Sequence, residues 1–219
     1  LIYTLVLVPV ALAPTLLGSV GWLYGSVALA FSLAFVGYAI SDRMTADLAV
    51  GAKALESFQG VGRRHELIGE ARGVRVFDDF AHNPAKVEAG LAAAQLAAGG
   101  GRVLAIFQPH GYGPLRFLLE DFAKSFAKAL RAQDKLWISP VYDAGGTADR
   151  SISSKDLADR IAEHGHVVSC PATRDLVALE VAAEAQAGDL VYSMGARDPD
   201  LPAFAKQIVE AIGSVPERD

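Results

Sequence analysis

Beyond residue 60 the chain alternates short apolar runs with longer stretches of helical periodicity, and this predicts an α/β fold whose sheet is mainly parallel and flanked by helices. Strands are expected at 65–68, 74–78, 102–107, 135–138, 167–169 and 190–193, the first two forming a hairpin through 70–73. Helices are expected at 84–97, 115–131, 154–163, 173–185 and 203–212. Their ends carry local signals: Pro84 suits a first helical position, Ser153 and Ser154 suit a cap, and Gly99 suits a helix end. In the second helix Phe117, Leu118, Phe122, Phe126 and Leu130 read as one apolar stripe facing the core.

The first part of the chain follows another pattern. No charged residue precedes Asp42, and the stretch is almost wholly apolar. A bilayer core about 30 Å thick takes about 20 apolar residues per helix, so the length suffices for two crossings. The expectation is a transmembrane helical hairpin within residues 1–41, with spans at 2–17 and 22–40 and a turn at Gly18-Ser19-Val20-Gly21. Tyr3, Trp22 and Tyr24 suit the membrane interface. A buried soluble hairpin is the alternative, and it has to explain why no polar face interrupts the run. A cleaved signal peptide fits less well, lacking a basic start. Arg43, Lys53, Arg63 and Arg64 are the first positive charges after the spans and place the next domain on the cytoplasmic side of the inner membrane. The expected order is thus the hairpin to residue 41, a linker over 42–61, an α/β domain over 62–213 and a tail over 214–219.

Composition narrows the function. A net charge of −5 over 219 residues, with no basic stripe, speaks against nucleic-acid binding. The single cysteine, Cys170, excludes an internal disulfide.

Chemistry concentrates at two strand ends. Val76-Phe77-Asp78-Asp79-Phe80-Ala81-His82-Asn83-Pro84 runs from an apolar strand into two carboxylates, a histidine and an amide at a helix start. Open α/β sheets bind ligands at the carboxyl ends of their strands. Asp78 and Asp79 point to opposite faces, so one is free to meet a ligand while the other caps or orders a loop; a turn solvated by both is the alternative. His82 and Asn83 are suited to a ribose, a phosphate or a carboxylate. A second strand tip carries Gln108-Pro109-His110-Gly111-Tyr112-Gly113, and Gly195 follows the last strand where backbone can approach a ligand. Asp78, Asp79, His82 and His110 match no standard metal-ligand spacing, so no metal site is assigned. Gly99-Gly100-Gly101-Arg102 lacks the lysine and hydroxyl of a phosphate-binding loop.

Six ordered stretches carry a resemblance: Gly62-Arg63-Arg64-His65-Glu66, Asp78 to Pro84, Phe107-Gln108-Pro109-His110, Val141-Tyr142-Asp143-Ala144-Gly145, Ser153 to Ala158, and Gly188-Asp189-Leu190 through Met194-Gly195-Ala196. Together they resemble the carboxyl-terminal domain of the Mur ligases, most closely the alanine-adding branch. The resemblance implies a Rossmann-like domain of an ATP- and Mg-dependent ligase of peptidoglycan synthesis. In that family a carboxylate of UDP-N-acetylmuramate is phosphorylated, and an amino acid's amine displaces the phosphate to form an amide. By position it implies nucleotide contacts for Arg64, Asp78, His82 and Asn83, and substrate contacts for His110, Tyr112, Arg116 and Gly195. Gly111 and Pro114 stand where the alanine-adding pattern has arginines, which leaves the incoming amino acid or peptide open.

The family's nucleotide-sugar domain and its phosphate-binding central domain have no counterpart in this sequence, so the chain is expected to be an incomplete enzyme, inactive alone. Leu1 to Val10 and Gly18 to Tyr24 resemble late helices of protoheme IX farnesyltransferase, a UbiA-type prenyltransferase, without that family's aspartate motifs. Two alternatives to the ligase reading follow: a membrane-anchored module that binds nucleotide or amino acid without turnover, and a fragment of a haem farnesyltransferase membrane domain.

Overall fold

In a computed structural model of the chain, the structure describes residues 33–34, 37–38, 40–41, 48–56 and 60–216. The chain divides into two compact units, Leu1–Gln59 and Gly60–Asp219. Most of the hairpin expected within residues 1–41 lies outside the described residues. Among the described residues no helix is long and apolar enough to cross a membrane. The expected linker is helical at 48–56, where alanines, leucines, Lys53 and Glu56 are good helix formers.

The second unit contains β1 (Glu66–Ala71), β2 (Val74–Asp79), α1 (Pro84–Ala98), β3 (Val103–Gln108), α2 (Tyr112–Ala129), β4 (Lys135–Ile138), α3 (Ser154–Ala162), β5 (Val168–Ser169), α4 (Arg174–Glu184), β6 (Leu190–Gly195) and α5 (Leu201–Ser214). The sheet order is β1-β2-β6-β3-β4-β5, with β1 antiparallel to β2 and the remaining pairs parallel. This is the mainly parallel α/β fold expected. Strands β3 and β6 are buried throughout because helices cover both faces, which is why they read as unbroken apolar runs. Leu190, Tyr192 and Met194 pack with Leu91, Phe122 and Leu157 from the α1, α2 and α3 side. Val191 packs with Val177, Phe204 and Ile208 from the α4 and α5 side.

The connections β2-α1-β3, β3-α2-β4 and β4-α3-β5 step outward across the sheet, and β5-α4-β6 returns to lie between β2 and β3. The reversal sets the loops after β2, β6 and β3 side by side at the carboxyl ends of the strands, the place where open α/β sheets form a ligand crevice.

Local signals set the helix ends. Asn83 caps α1 by accepting from the Lys86 amide at 2.9 Å, with Pro84 in the first turn. Gly99 ends α1 in the left-handed region at φ 59°. Ser153 donates to Asp156 Oδ2 from both its amide, at 2.7 Å, and its hydroxyl, at 2.6 Å, tying down the start of α3. Two expectations are corrected. Helix α2 begins at Tyr112 rather than 115, because a proline at 114 falls in the first turn, where its missing N–H costs nothing. Phe117 is 86% exposed and not core: Leu115, Phe122 and Phe126 share the buried stripe, and Phe117 lies off it.

Candidate functional site

The site is built at the carboxyl ends of β2, β6 and β3. Asp78 ends up fully buried, facing the α4 and α5 side, with Ser193 as its register partner on β6. Because β1 runs antiparallel, the residues preceding it return to this end of the sheet. Arg63 there donates from Nε to Asp78 Oδ2 at 2.8 Å and from a terminal nitrogen to the Gly195 carbonyl at 2.9 Å. Burial raises the Asp78 carboxyl above its ordinary range, and the Arg63 guanidinium opposes that shift without cancelling it.

Asp79 points to the other face and accepts from the His65 amide at 2.7 Å, so it orders the incoming chain. The Phe80 amide donates to the Arg63 carbonyl at 2.9 Å. The Phe80 ring carries both neighbouring guanidinium groups, Arg63 at 5.1 Å and Arg64 at 5.2 Å from its centroid. Arg64 is exposed, whereas Arg63 is committed below it.

The two expected histidines meet. The His82 and His110 rings stand edge to face with centroids 5.2 Å apart, and His82 Nδ1 lies 2.8 Å from the Phe80 carbonyl. Burial, then the proximity of His82 and Arg197, pushes His110 below the ordinary histidine value. A neutral imidazole there can accept or donate one hydrogen bond from each nitrogen.

Not every expected residue reaches this crevice with a free side chain. Asp78 has no exposed surface and is held by Arg63, so its direct role is to position that arginine. Asn83 is engaged as the α1 cap. Arg116 donates to Ser151 Oγ at 2.9 Å and pairs with Asp149 at 3.0 Å, pinning the loop after β4. Tyr112 lies under Arg150, whose guanidinium is 5.8 Å from the ring centroid and pairs with Asp143 at 2.7 Å. Beside it is a cavity of about 330 Å³ lined by Tyr112, Val141, Ser153, Lys155, Cys170 and Pro171. Gly195 is closely packed: a Cβ there would stand 2.8 Å from Leu201 Cδ1 and 3.3 Å from the Gln108 carbonyl, so both neighbours would have to give way.

Sequence reasoning missed Arg63 as the partner of Asp78. The signal was present only as two adjacent arginines, and the antiparallel return of β1 decides which of them turns inward. It also missed a polar row: Asp78 Oδ1, Ser193 Oγ, Gln108 Oε1 and Ser139 Oγ are buried without a hydrogen-bond partner among the described residues. They stand at the ends of β2, β6, β3 and β4 on the α4 and α5 side, since Val76, Val191, Ile106 and Trp137 of the same strands face that side with them. Polar groups so placed under a rim make the site's floor hydrophilic.

Known proteins share the sequence of this domain. The UDP-N-acetylmuramate--L-alanine ligase of Maricaulis maris is 40% identical over 156 residues, 71% of this chain and 32% of that protein. The ligase of the same name from Agrobacterium fabrum is 41% identical over 166 residues, 75% of this chain and 34% of that protein. The chain therefore spans about a third of the length of the curated relatives it matches. Among solved structures, the UDP-N-acetylmuramate-alanine ligase of Thermotoga maritima shares the fold, with a TM-score of 0.57 and 23% identity over 84% of this chain and 37% of that one. The model of the family described as "Mur ligase, glutamate ligase domain" matches residues 63–197, and leaves the farnesyltransferase resemblance of the first forty residues without support. With that match running from Arg63 at the mouth of the crevice to Arg197 beyond β6, the chain belongs to the Mur ligase family.

Proposed function

We propose that residues 60–216 act as the domain of an ATP-dependent amide ligase of peptidoglycan synthesis that covers the nucleotide and presents the incoming amino acid. The observation that carries this reading is the meeting of His82 and His110 beside Arg63 and Arg64, inside the stretch that the family covers. The relatives' names supply the substrates proposed here: UDP-N-acetylmuramate as acid and an amino acid, L-alanine in those relatives, as amine.

In the proposed reaction the acid's carboxylate oxygen takes the terminal phosphoryl group of ATP, releasing ADP. The amino acid's neutral amine then attacks the acyl carbon; the carbon–oxygen bond to phosphate breaks, a proton leaves the nitrogen, and amide and inorganic phosphate result. This chain's part is positional. Arg64, exposed over Phe80, is the cation available to nucleotide phosphates, and Arg63 with Asp78 fixes the backbone beneath it. His82 and His110 offer directional ring nitrogens to the amino acid or phosphate. Asn83, the cap, shapes the loop between them. Magnesium, implied by ATP dependence, finds no group of three or more His, Cys, Asp or Glu side chains among the described residues, so no step is assigned to a metal held here.

The test is calorimetric titration of the chain with ADP, together with ATP-dependent phosphate release from UDP-N-acetylmuramate and L-alanine when the chain is mixed with a ligase portion that supplies the remainder of the relatives' length. Nucleotide binding and stimulation of release are expected. Absence of both overturns the reading. A membrane hairpin over residues 1–41 is a separate proposal that rests on the uncharged composition alone, and recovery of the chain in the supernatant after alkaline extraction of membranes would remove it.

A further inference from the structure

The alanine-rich helix α1 carries a glycine at position 90, where alanine would serve the helix better. Packing accounts for it. A Cβ on Gly90 would stand 3.1 Å from the Tyr192 hydroxyl and 3.1 Å from its Cε1, so the glycine clears the space that the polar tip of the tyrosine occupies. Tyr192 is 1% exposed, and a phenol so buried needs a partner for its O–H. Burial, with the Asp79 carboxylate as neighbouring charge and hydrogen-bond partner, holds that hydroxyl in its protonated form.

His65 closes the group. Its amide donates to Asp79 at 2.7 Å, its Nδ1 lies 3.4 Å from the Tyr192 hydroxyl, and its ring packs on Phe77 and Tyr192 with centroids 4.6 and 5.5 Å away. Arg63 at φ 56° and His65 at φ 50° both lie in the left-handed region, which residues with a side chain keep only where their surroundings hold them. Arg63 is held by Asp78 at 2.8 Å and by the Gly195 carbonyl at 2.9 Å. His65 is held by Asp79 and Tyr192. Arg64 is the single residue between these two clamps.

We propose that Tyr192 and His65 are positioning residues for Arg64: the tyrosine hydroxyl, lodged over Gly90, ties His65 to Asp79 and so sets where the Arg64 guanidinium stands over Phe80. The nucleotide as the ligand of Arg64 rests on the ligase reading; the clamp does not.

Hydrogen exchange of the backbone amides of the full chain, followed by NMR, tests it. Tyr192→Phe keeps the ring and removes only the hydroxyl. Exchange at the His65 amide, bonded to Asp79, and at the Phe80 amide, bonded to the Arg63 carbonyl, is expected to quicken by about fivefold or more, as for loss of one hydrogen bond, while Ala105 and Val191 in the core keep their rates. His65→Phe keeps a ring on Phe77 and should quicken the Phe80 amide to a similar degree. Adding it to Tyr192→Phe should add little, since both remove the same contact. ADP affinity, measured on the same proteins, should fall with Tyr192→Phe by a similar factor. Unchanged exchange at His65 and Phe80, an equal rise in the core, additive effects of the two variants, or an ADP affinity unmoved by Tyr192→Phe overturns the proposal. A parent chain that binds no ADP removes the ligase reading, and the exchange rates then decide the clamp alone.

Discussion

Arg63 closes on the fully buried carboxylate of Asp78 at 2.8 Å while its own side chain stays 18% exposed. Removing the arginine strands a buried charge, whereas removing the charge leaves an arginine that can still reach water. Arg63→Ala is therefore expected to cost about 3 kcal/mol at neutral pH, and adding Asp78→Asn to recover part of that loss. Burial already raises the Asp78 pKa, and without Arg63 it rises further. The folded form then takes up a proton before the unfolded chain does, so the deficit is present above the folded pKa and shrinks as pH falls through it. Urea denaturation of the two variants across pH checks both claims. A deficit that grows on acidification would contradict them.

Asn83 is engaged as the cap of α1 through its side-chain oxygen. Asn83→Ala should lower stability by about 1 kcal/mol, the usual value of an amide cap, and Asn83→Asp should restore it. Thermal melts give the stability, and nucleotide titration should show the same affinity in the two variants once the comparison is made well below the melting temperature.

Gly101 is the member of the triple glycine with no room for a side chain. A Cβ there would stand 2.2 Å from the Gly188 carbonyl oxygen, backbone against backbone, while Gly99 and Gly100 face open space. Gly101→Ala is expected to destabilise by about 3 kcal/mol or to displace the strand ends, measured by chemical denaturation.

His110 gives the site a pH dependence of known sign. Its folded pKa is depressed by burial, His82 and Arg197, so on acidification the unfolded chain binds the proton first. Its contribution favours the folded state above the ordinary histidine value and is lost as pH falls through that value towards the folded one. His110→Gln should flatten this part of the stability profile between neutral and mildly acidic pH. A titration midpoint for His110 above the ordinary value, read from its ring proton, would contradict the sign.

The alternation of strands and helices was legible because two covered faces require unbroken apolar strands, as in β3 and β6. Helix ends were legible because Pro84, Gly99 and Ser153 act within a few residues of themselves; that Asn83 serves as a cap was not read. Register was not. Which of two adjacent arginines meets Asp78 and the Gly195 carbonyl depends on strand order and on the return of β6 between β2 and β3. Phe117 was misread because a helix stripe tolerates an apolar neighbour just outside it, and composition alone does not separate the two.

The antiparallel β1 gives the domain a single doorway. The chain enters through Gly60, Val61 and Gly62 and reaches the crevice at once, so Arg63 is both the first anchored residue and a wall of the ligand site. Strain entering at those glycines passes through the Arg63 guanidinium, the Phe80 amide and Asp79 into the tips of β2 and β6. The point where the chain enters and the rim of the binding site are, mechanically, one part.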